Sequence, residues 1–436
     1  MVPEPPVAVP APSSPAGTHP PQIDVVAVTR DDAPAVLDVD RWAFGLDGDV
    51  LLPDDLRAVV DSLVWERTFG ARLGGAERLA GVYSVVPGQL TVPGNRSVPC
   101  AGLSWVGVHP RDRRRGVLTA MMRHHLDDVA GHGEVVSLLH AAETMIYGRF
   151  GYGAATQAVN LRLPRAAALR DVPGAADLWV DFHRADADAH APLVARCFDA
   201  AQAARPGWLS RSHHGLRREA FLDPRRRRSG AESLKLATVT DPDGALRAYA
   251  LFRRRGRWEN HAPAGVVEVT EAVALDGAAA HALWSRLADL DLTVTVDTPL
   301  LAVDDPLLHL LADPRAAGPT VTDGVWARLV DVPAALAARG YAGPLDVVLG
   351  VTDPLRPANT GRWHLVAGPG DATCTRTDAP AQLELGVREL ATAYLGGPTL
   401  AALAHAGLVR VHDATALAQA SVAFASSMAP HCGWLF

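Results

Sequence analysis

The stretch from Trp105 to Gly151 constrains the fold more than any other part of the chain. It opens with Trp105-Val106-Gly107-Val108-His109-Pro110 and runs into Arg111-Asp112-Arg113-Arg114-Arg115-Gly116-Val117-Leu118-Thr119. It closes with Ile146-Tyr147-Gly148-Arg149-Phe150-Gly151. Between these ends, Leu118, Met122, Leu126 and Val129 recur at helical spacing, which predicts an amphipathic helix over 117–129. Gly131 and Gly133 end it. Val135 to Leu139 is a near-continuous apolar run, the pattern of a strand buried on both faces. The order is therefore strand, basic glycine loop, helix, buried strand. A helix start exposes unpaired N–H groups and a partial positive charge. Three arginines and Gly116 at that point make a seat for phosphate or pyrophosphate. The alternative reading of the same residues is a solvated basic turn. The runs Arg225 to Arg228 and Arg253 to Arg255 lack this context and read as solvated faces.

The rest of the chain sets bounds. At 436 residues, 48% of them apolar, it has room for two or three domains with sizeable cores. A formal net charge of -7 excludes a general nucleic-acid face, which needs a basic surface. Cys100, Cys197, Cys374 and Cys432 are widely spaced and form no CxxC pair, so the expectation is reduced thiols, a cytoplasmic location and no metal. No apolar run reaches membrane-spanning length. Residues 1–22 are rich in Pro, Ala and Ser and lack the basic and apolar regions of a signal peptide. They read as a disordered leader.

Three divisions follow from the order of elements. Over 23–165 a strand near Val25, helices ending near Phe44 and starting at Pro53, strands at 68–73, 79–86 and 102–108, and the stretch above make an α/β unit. Pro173-Gly174-Ala175-Ala176 resembles a linker. Over 175–322 the order recurs: helices at 191–203 and 215–222, strands at 234–239, 246–252 and 265–275, a helix at 278–290 and a strand at 292–296. Here the long strand leads into Asp276-Gly277-Ala278-Ala279, with no basic loop, so a duplicate would have lost the cradle. Over 323–436 strands come first and helices last, which predicts an α+β module.

At this point the sequence resembles a family. Val106-Gly107-Val108-His109-Pro110 followed by Arg113-x-x-Gly116-x-Leu118 is similar to motif A of the GNAT acetyltransferases. Leu118 departs from the Gly or Ala of that motif's last position. Leu139-His140-Ala141-Ala142-Glu143, leading to Ile146-Tyr147-Gly148-Arg149-Phe150-Gly151-Tyr152-Gly153, resembles the Eis subfamily, whose loop has arginines, then Gly and two apolar residues. Asp323-Gly324-Val325-Trp326-Ala327-Arg328, running into Asp331-Val332-Pro333-Ala334-Ala335-Leu336-Ala337-Ala338-Arg339-Gly340-Tyr341, carries the match towards the chain's end. The resemblance implies an α/β (α+β) architecture of tandem GNAT domains followed by a sterol-carrier-protein-like α+β domain. It also implies a homohexamer.

It further implies an acetyl-CoA-dependent N-acetyltransferase acting on aminoglycosides or similar polyamines. Two alternatives stay open: acetylation of protein lysines, and a lipid- or hydrophobe-binding protein. Acetyl-CoA would lie on Val106, Gly107 and Val108, with its pyrophosphate on Arg113, Arg114, Arg115, Gly116, Val117, Leu118 and Thr119. Ala142 and Glu143 match cofactor-contacting positions. Tyr147 occupies the proton-donor position, and a phenol of pKa about 10 can return a proton to a thiolate of pKa about 8.5 when held against it. Without the resemblance it reads as a core aromatic beside Phe150 and Tyr152. The resemblance implies that the general base is the terminal carboxylate, here on Phe436. The Trp434-Leu435-Phe436 end is apolar enough to dock, by itself or with a catalytic purpose. Ser104 matches a substrate-pocket position, and Leu435 stands where the subfamily can carry an acid. Asp40, Trp42, Phe44 and Asp47 align loosely with pocket-lining helices. His109, His124, His125, His132 and His140 receive no role.

Overall fold

The computed structural model of the chain describes residues 22–45, 53–224, 228–368 and 370–436. Residues 1–21 of the expected leader, and Asp47, therefore lie outside the described residues.

The first unit comprises β1 (Ile23–Ala27), α1 (Ala33–Phe44), α2 (Pro53–Ser62), β2 (Thr68–Leu73), β3 (Leu79–Val92), β4 (Arg96–Val108), α3 (Val117–Gly131), β5 (Val136–His140) and the single turn α4 (Thr144–Tyr147). Short strands follow: β6 (Gly153–Ala154), β7 (Gln157–Asn160) and β8 (Arg162–Pro164). The hairpin β3–β4 is longer than its sequence pattern suggests. Pro87 fits within β3 because it falls past Ser84, the last β3 residue paired to β2, so there is no ladder to β2 there for the missing N–H to break.

The second unit has β9 (Trp179–Arg184), α5 (Ala187–Ala204), α6 (His214–Glu219), β10 (Lys235–Thr240), β11 (Leu246–Arg255), a small hairpin of β12 (Trp258–Glu259) and β13 (Ala262–Pro263), β14 (Gly265–Ala274), α7 (Gly277–Ala288) and β15 (Thr293–Asp297). The connection onward holds β16 (Leu301–Ala302), α8 (Pro306–Leu310) and β17 (Thr320–Asp323). The last unit has β18 (Val325–Leu329), α9 (Val332–Ala338), β19 (Leu345–Thr352), β20 (Gly361–Ala367), β21 (Ala372–Arg376), β22 (Leu383–Gly386), α10 (Val387–Tyr394), α11 (Leu400–His405), β23 (Val409–Val411) and α12 (Ala414–Ala423).

Two sheets share a plan. The first runs β1-β2-β3-β4-β5-β18-β6 and the second β8-β15-β14-β11-β10-β9. In each, antiparallel strands lead to a parallel pair, β4 with β5 and β14 with β15, joined by a crossover helix. The third sheet runs β21-β20-β19-β22-β23.

Three strands cross the divisions expected at 165 and 323. β7 belongs to the first unit yet pairs with β16 and β17. β8 precedes the second unit yet pairs with β15. β18 follows the second unit yet pairs with β5 and β6 in the first sheet. Apolar pattern identifies strands but carries no information about which sheet receives them. One core cluster accordingly runs through all three units, from Leu138 through Phe198 and Tyr249 to Leu365 and Trp434.

Candidate active site

The site begins where two parallel strands part. β4 and β5 pair only over Cys100–Gly102 and Val136–Leu138. Beyond that point β4 continues to Val108, and a cavity of about 800 Å³ fills the wedge. Leu103 to Val108 line one side, and His140, Ala142, Glu143, Ile146 and Tyr147 line the other.

A bulge shapes the β4 side. Between the pairs Val82–Gly107 and Ser84–Ser104, Tyr83 of β3 faces two residues of β4, Trp105 and Val106. Trp105 takes a φ of 58°, rare for a bulky residue. A bulge disrupts the ladder locally and re-aims the backbone. Nothing in the sequence signals it, because tryptophan is not a residue that favours this conformation.

The arginine loop is built by a carboxylate that sequence alone does not single out. Asp112 is wholly buried, and its oxygens accept from Arg78 at 2.6 and 3.2 Å and from Arg115 at 3.3 Å. The Arg78 guanidinium holds its carboxyl below the usual range. Arg115 is thus engaged within the loop and does not line the cavity, while Arg113 and Arg114 do. Gly116, at φ 89°, turns the chain into α3, and Gly116, Val117, Leu118 and Thr119 line the cavity at the helix start. An αL glycine, open helix N–H groups and two arginines fit a pyrophosphate. The second unit differs at the matching point. There the Asp276 carboxylate accepts from Ala279 N at 2.9 Å and so occupies the start of α7. An anion would have to displace a like charge.

Tyr147 is buried at the end of α4. Its phenol is pushed up to about 12, first by burial and then by the nearby Glu143 carboxylate. It packs edge-on against Tyr152, with ring centroids 6.1 Å apart. Tyr152 plays a different part. Its hydroxyl meets Ser137 Oγ at 2.7 Å, which meets His125 Nε2 at 2.8 Å, a buried chain holding α3 to β5. The turn after Tyr147 packs directly beneath α10. A Cβ on Gly153 would collide with the Arg388 carbonyl, so only glycine allows that approach.

Phe436 lines the same cavity, although it is the last residue of the chain. Its ring sits against Gly102 of β4 and 5.0 Å from the His140 ring. His140 Nε2 lies 3.1 Å from the Trp434 carbonyl. A carbonyl only accepts, so this nitrogen carries the hydrogen. Burial pushes the imidazole down to about 4. Ser104 and Phe44 line the cavity as well, whereas the Trp42 ring lies tilted beside His109, with centroids 5.3 Å apart. His124 meets Tyr83 Oη at 2.6 Å and His132 meets the Asp128 carbonyl at 2.8 Å, both away from the cavity.

Of the residues named from sequence, then, Ser104, Val106 to Val108, Arg113, Arg114, Gly116 to Thr119, Ala142, Glu143, Tyr147 and Phe436 share one cavity, and Arg115 stands beside it. Asp112, His140 and the bulge at Trp105 are the additions. Among the described residues no cluster of His, Cys, Asp and Glu could hold a metal ion. Among them, too, no helix is long and apolar enough to cross a membrane.

The chain is similar to known proteins along most of its length. Residues 24–155 and 207–329 match models of an acetyltransferase (GNAT) domain, and residues 332–433 match a sterol carrier protein domain. An uncharacterized N-acetyltransferase of Streptomyces coelicolor is 41% identical over 379 residues, covering 85% of this chain and 87% of the relative. The N-acetyltransferase Eis of Mycobacterium tuberculosis is 35% identical over 361 residues, covering 81% and 85%. The crystal structure of Eis1 from Mycobacterium abscessus superposes with a TM-score of 0.78 at 32% identity, covering 95% of this chain and all of that one. The chain is an acetyltransferase and belongs to the Eis family of tandem-GNAT proteins with a sterol-carrier-like C-terminal domain.

Proposed function

We propose that the protein transfers acetyl from acetyl-CoA to an amine of an aminoglycoside or similar polyamine by direct attack, with Tyr147 as general acid and the Phe436 carboxylate as general base. The observation that carries this reading is the meeting of three separate parts of the chain in one cavity: the arginine loop, the Tyr147 turn and the C-terminal residue. Acetyl-CoA, when bound, supplies a thioester whose acetyl group moves and whose sulfur departs. Val106 to Val108 hold the donor by backbone pairing, as a peptide adds to a sheet edge. Arg113, Arg114 and Gly116 to Thr119 hold its pyrophosphate. An N–H at the bulge polarises the thioester carbonyl. Phe436 takes the proton released as the amine nitrogen bonds to carbon, and Tyr147 gives its proton to the sulfur as the C–S bond breaks. Ser104 faces the acceptor side.

The test is release of free thiol from acetyl-CoA in the presence of aminoglycosides, polyamines and lysine peptides. Turnover confined to lysine peptides would replace the small-molecule reading by protein acetylation. No release with any amine, together with tight binding of a fatty acid or sterol, would overturn catalysis of this kind. A homohexamer in the cytoplasm belongs to the same reading. It has support in the exposed Trp179 and Phe182 on the edge strand β9, and light scattering measures it.

A further inference from the structure

The tail that ends at Phe436 is held chiefly by the segment 205–211, which belongs to the second unit and lies outside the cavity. Arg205 Nη1 donates to the Ala429 carbonyl at 2.7 Å and to Asp304 at 2.5 Å, while Ala429 N donates to Asp304 at 2.8 Å. His431 N donates to the Pro206 carbonyl at 2.8 Å. The Trp434 indole donates to the Leu209 carbonyl at 2.8 Å. The same segment lies along the free side of β3. Gly207 N donates to Thr91 O at 2.8 Å, Thr91 N to Trp208 O at 3.1 Å and Ser210 N to Gln89 O at 2.9 Å. One face of the segment is thus fixed to the sheet that carries β4, and the other carries the tail.

Arg211 ends this segment in an arrangement too costly to be incidental. Its guanidinium is buried and meets Glu271 through two bonds, at 3.1 and 2.5 Å. Tyr249 donates to the same carboxylate at 2.6 Å. The guanidinium carbon lies 4.5 Å from the Phe198 ring and 4.5 Å from the Trp434 ring. Burying such a pair stabilises little by itself, and a planar cation that must stack on an aromatic tolerates few positions. The pair therefore supplies orientation: it sets the plane of Trp434, two residues before the carboxylate.

We propose that Arg211 is a positioning residue for the terminal carboxylate, acting through Trp434. The degenerate GNAT unit has lost its cradle and serves instead to hold the base for the first one. This rests on the reading of Phe436 as the base. The experiment uses the full chain with Arg211→Lys, which keeps the charge but loses the fork and the stack, and Trp434→Leu, which keeps an apolar side chain without the indole. Carboxypeptidase A with mass spectrometry reads the freedom of Phe436, and steady-state thiol release reads turnover. The expected result is slow loss of Phe436 from the wild type and rapid loss from both variants. A misplacement of about 1 Å lowers kcat by about 10²-fold, and the lost turnover is partly restored by added formate. The Kd for acetyl-CoA, read by calorimetry, is expected to stay unchanged. Equal resistance of Phe436 in wild type and both variants would overturn the role of Arg211, whatever the base is. A chain with residues added after Phe436 isolates the other reading: full turnover there would overturn the base assignment itself.

Discussion

Tyr147 sits in surroundings that suit a proton donor. Burial and the Glu143 carboxylate raise its phenol to about 12, so it holds its proton at neutral pH. Tyr147→Phe keeps the ring in its core and removes only the proton, and general acid catalysis contributes about 10²- to 10⁴-fold. The expected outcome is a fall in kcat of that order with the Kd for acetyl-CoA unchanged, read by thiol release and calorimetry. The pH profile adds a sign: because the pKa is raised, loss of the acid form produces no descending limb of kcat below about pH 10. A descending limb near neutrality, absent in the phenylalanine variant, would contradict the assignment. In the sequence Tyr147 stands out only by resemblance, since a tyrosine beside Phe150 and Tyr152 otherwise reads as a core aromatic. Three arginines and a glycine before an amphipathic pattern read as an anion seat or a solvated basic turn, and only the fold shows that Arg113 and Arg114 line the cavity while Arg115 turns to Asp112. Asp112 is not legible, since an aspartate among arginines reads as one more solvated charge, and only burial reveals it as the group that shapes the loop. Phe436 is legible by resemblance and by the apolar character of the end, but its seat against Gly102 depends on the whole fold.

Strands and helices read well from sequence where their pattern is internal, as in α3, β5 and α7, and poorly where partners decide. The element that shows this best is β18. Its residues Val325–Leu329 read as the first strand of the last unit, and they lie between β5 and β6 of the first sheet. Arg328 ties the surrounding segment to the rest of the fold. It is fully buried, pairs with Asp353 at 2.7 and 2.8 Å, and donates to the Phe150 carbonyl at 2.9 Å. One guanidinium thus joins the first sheet, the last unit and the turn that carries Tyr147. Arg328→Met would leave the Asp353 carboxylate buried without its partner, and breaking a buried pair from one side costs about 3–5 kcal/mol. Denaturant titration is expected to show a loss of that size. The double variant Arg328→Met/Asp353→Leu should recover part of it, because no unpaired charge then stays inside. A loss below about 1 kcal/mol, the range of exposed pairs, would mean that the pair is more hydrated than its burial suggests.

At the scale of the molecule, the three units behave as one body because they exchange strands and share a core. The buried imidazoles give this a pH dependence. Burial pushes His125 and His431 down to about 3 and His140 to about 4. In the unfolded chain each titrates near the ordinary value of about 6.5. Between those values the unfolded state binds more protons, so stability rises with pH: it is fully present above about pH 6.5 and lost as pH falls toward 4. Thermal melts across that window should show a falling Tm, and substitution of His125 by glutamine should flatten part of the slope. His140 and His431 lie along the tail, so acid loosens the path to Phe436 as well as the core. The shared strands lead to a sharper expectation. A fragment of residues 23–165 contains the arginine loop and Tyr147, yet β5 loses β18 along its full length and β8 loses β15. The fragment exposes the apolar edge of β5, uncovers Leu138 and Leu139, and lacks the Phe436 carboxylate. It is expected to aggregate or to stay unfolded by circular dichroism, whereas the full chain should melt in a single cooperative transition. A soluble fragment with wild-type turnover would show that the later units are dispensable and that the base lies within the first.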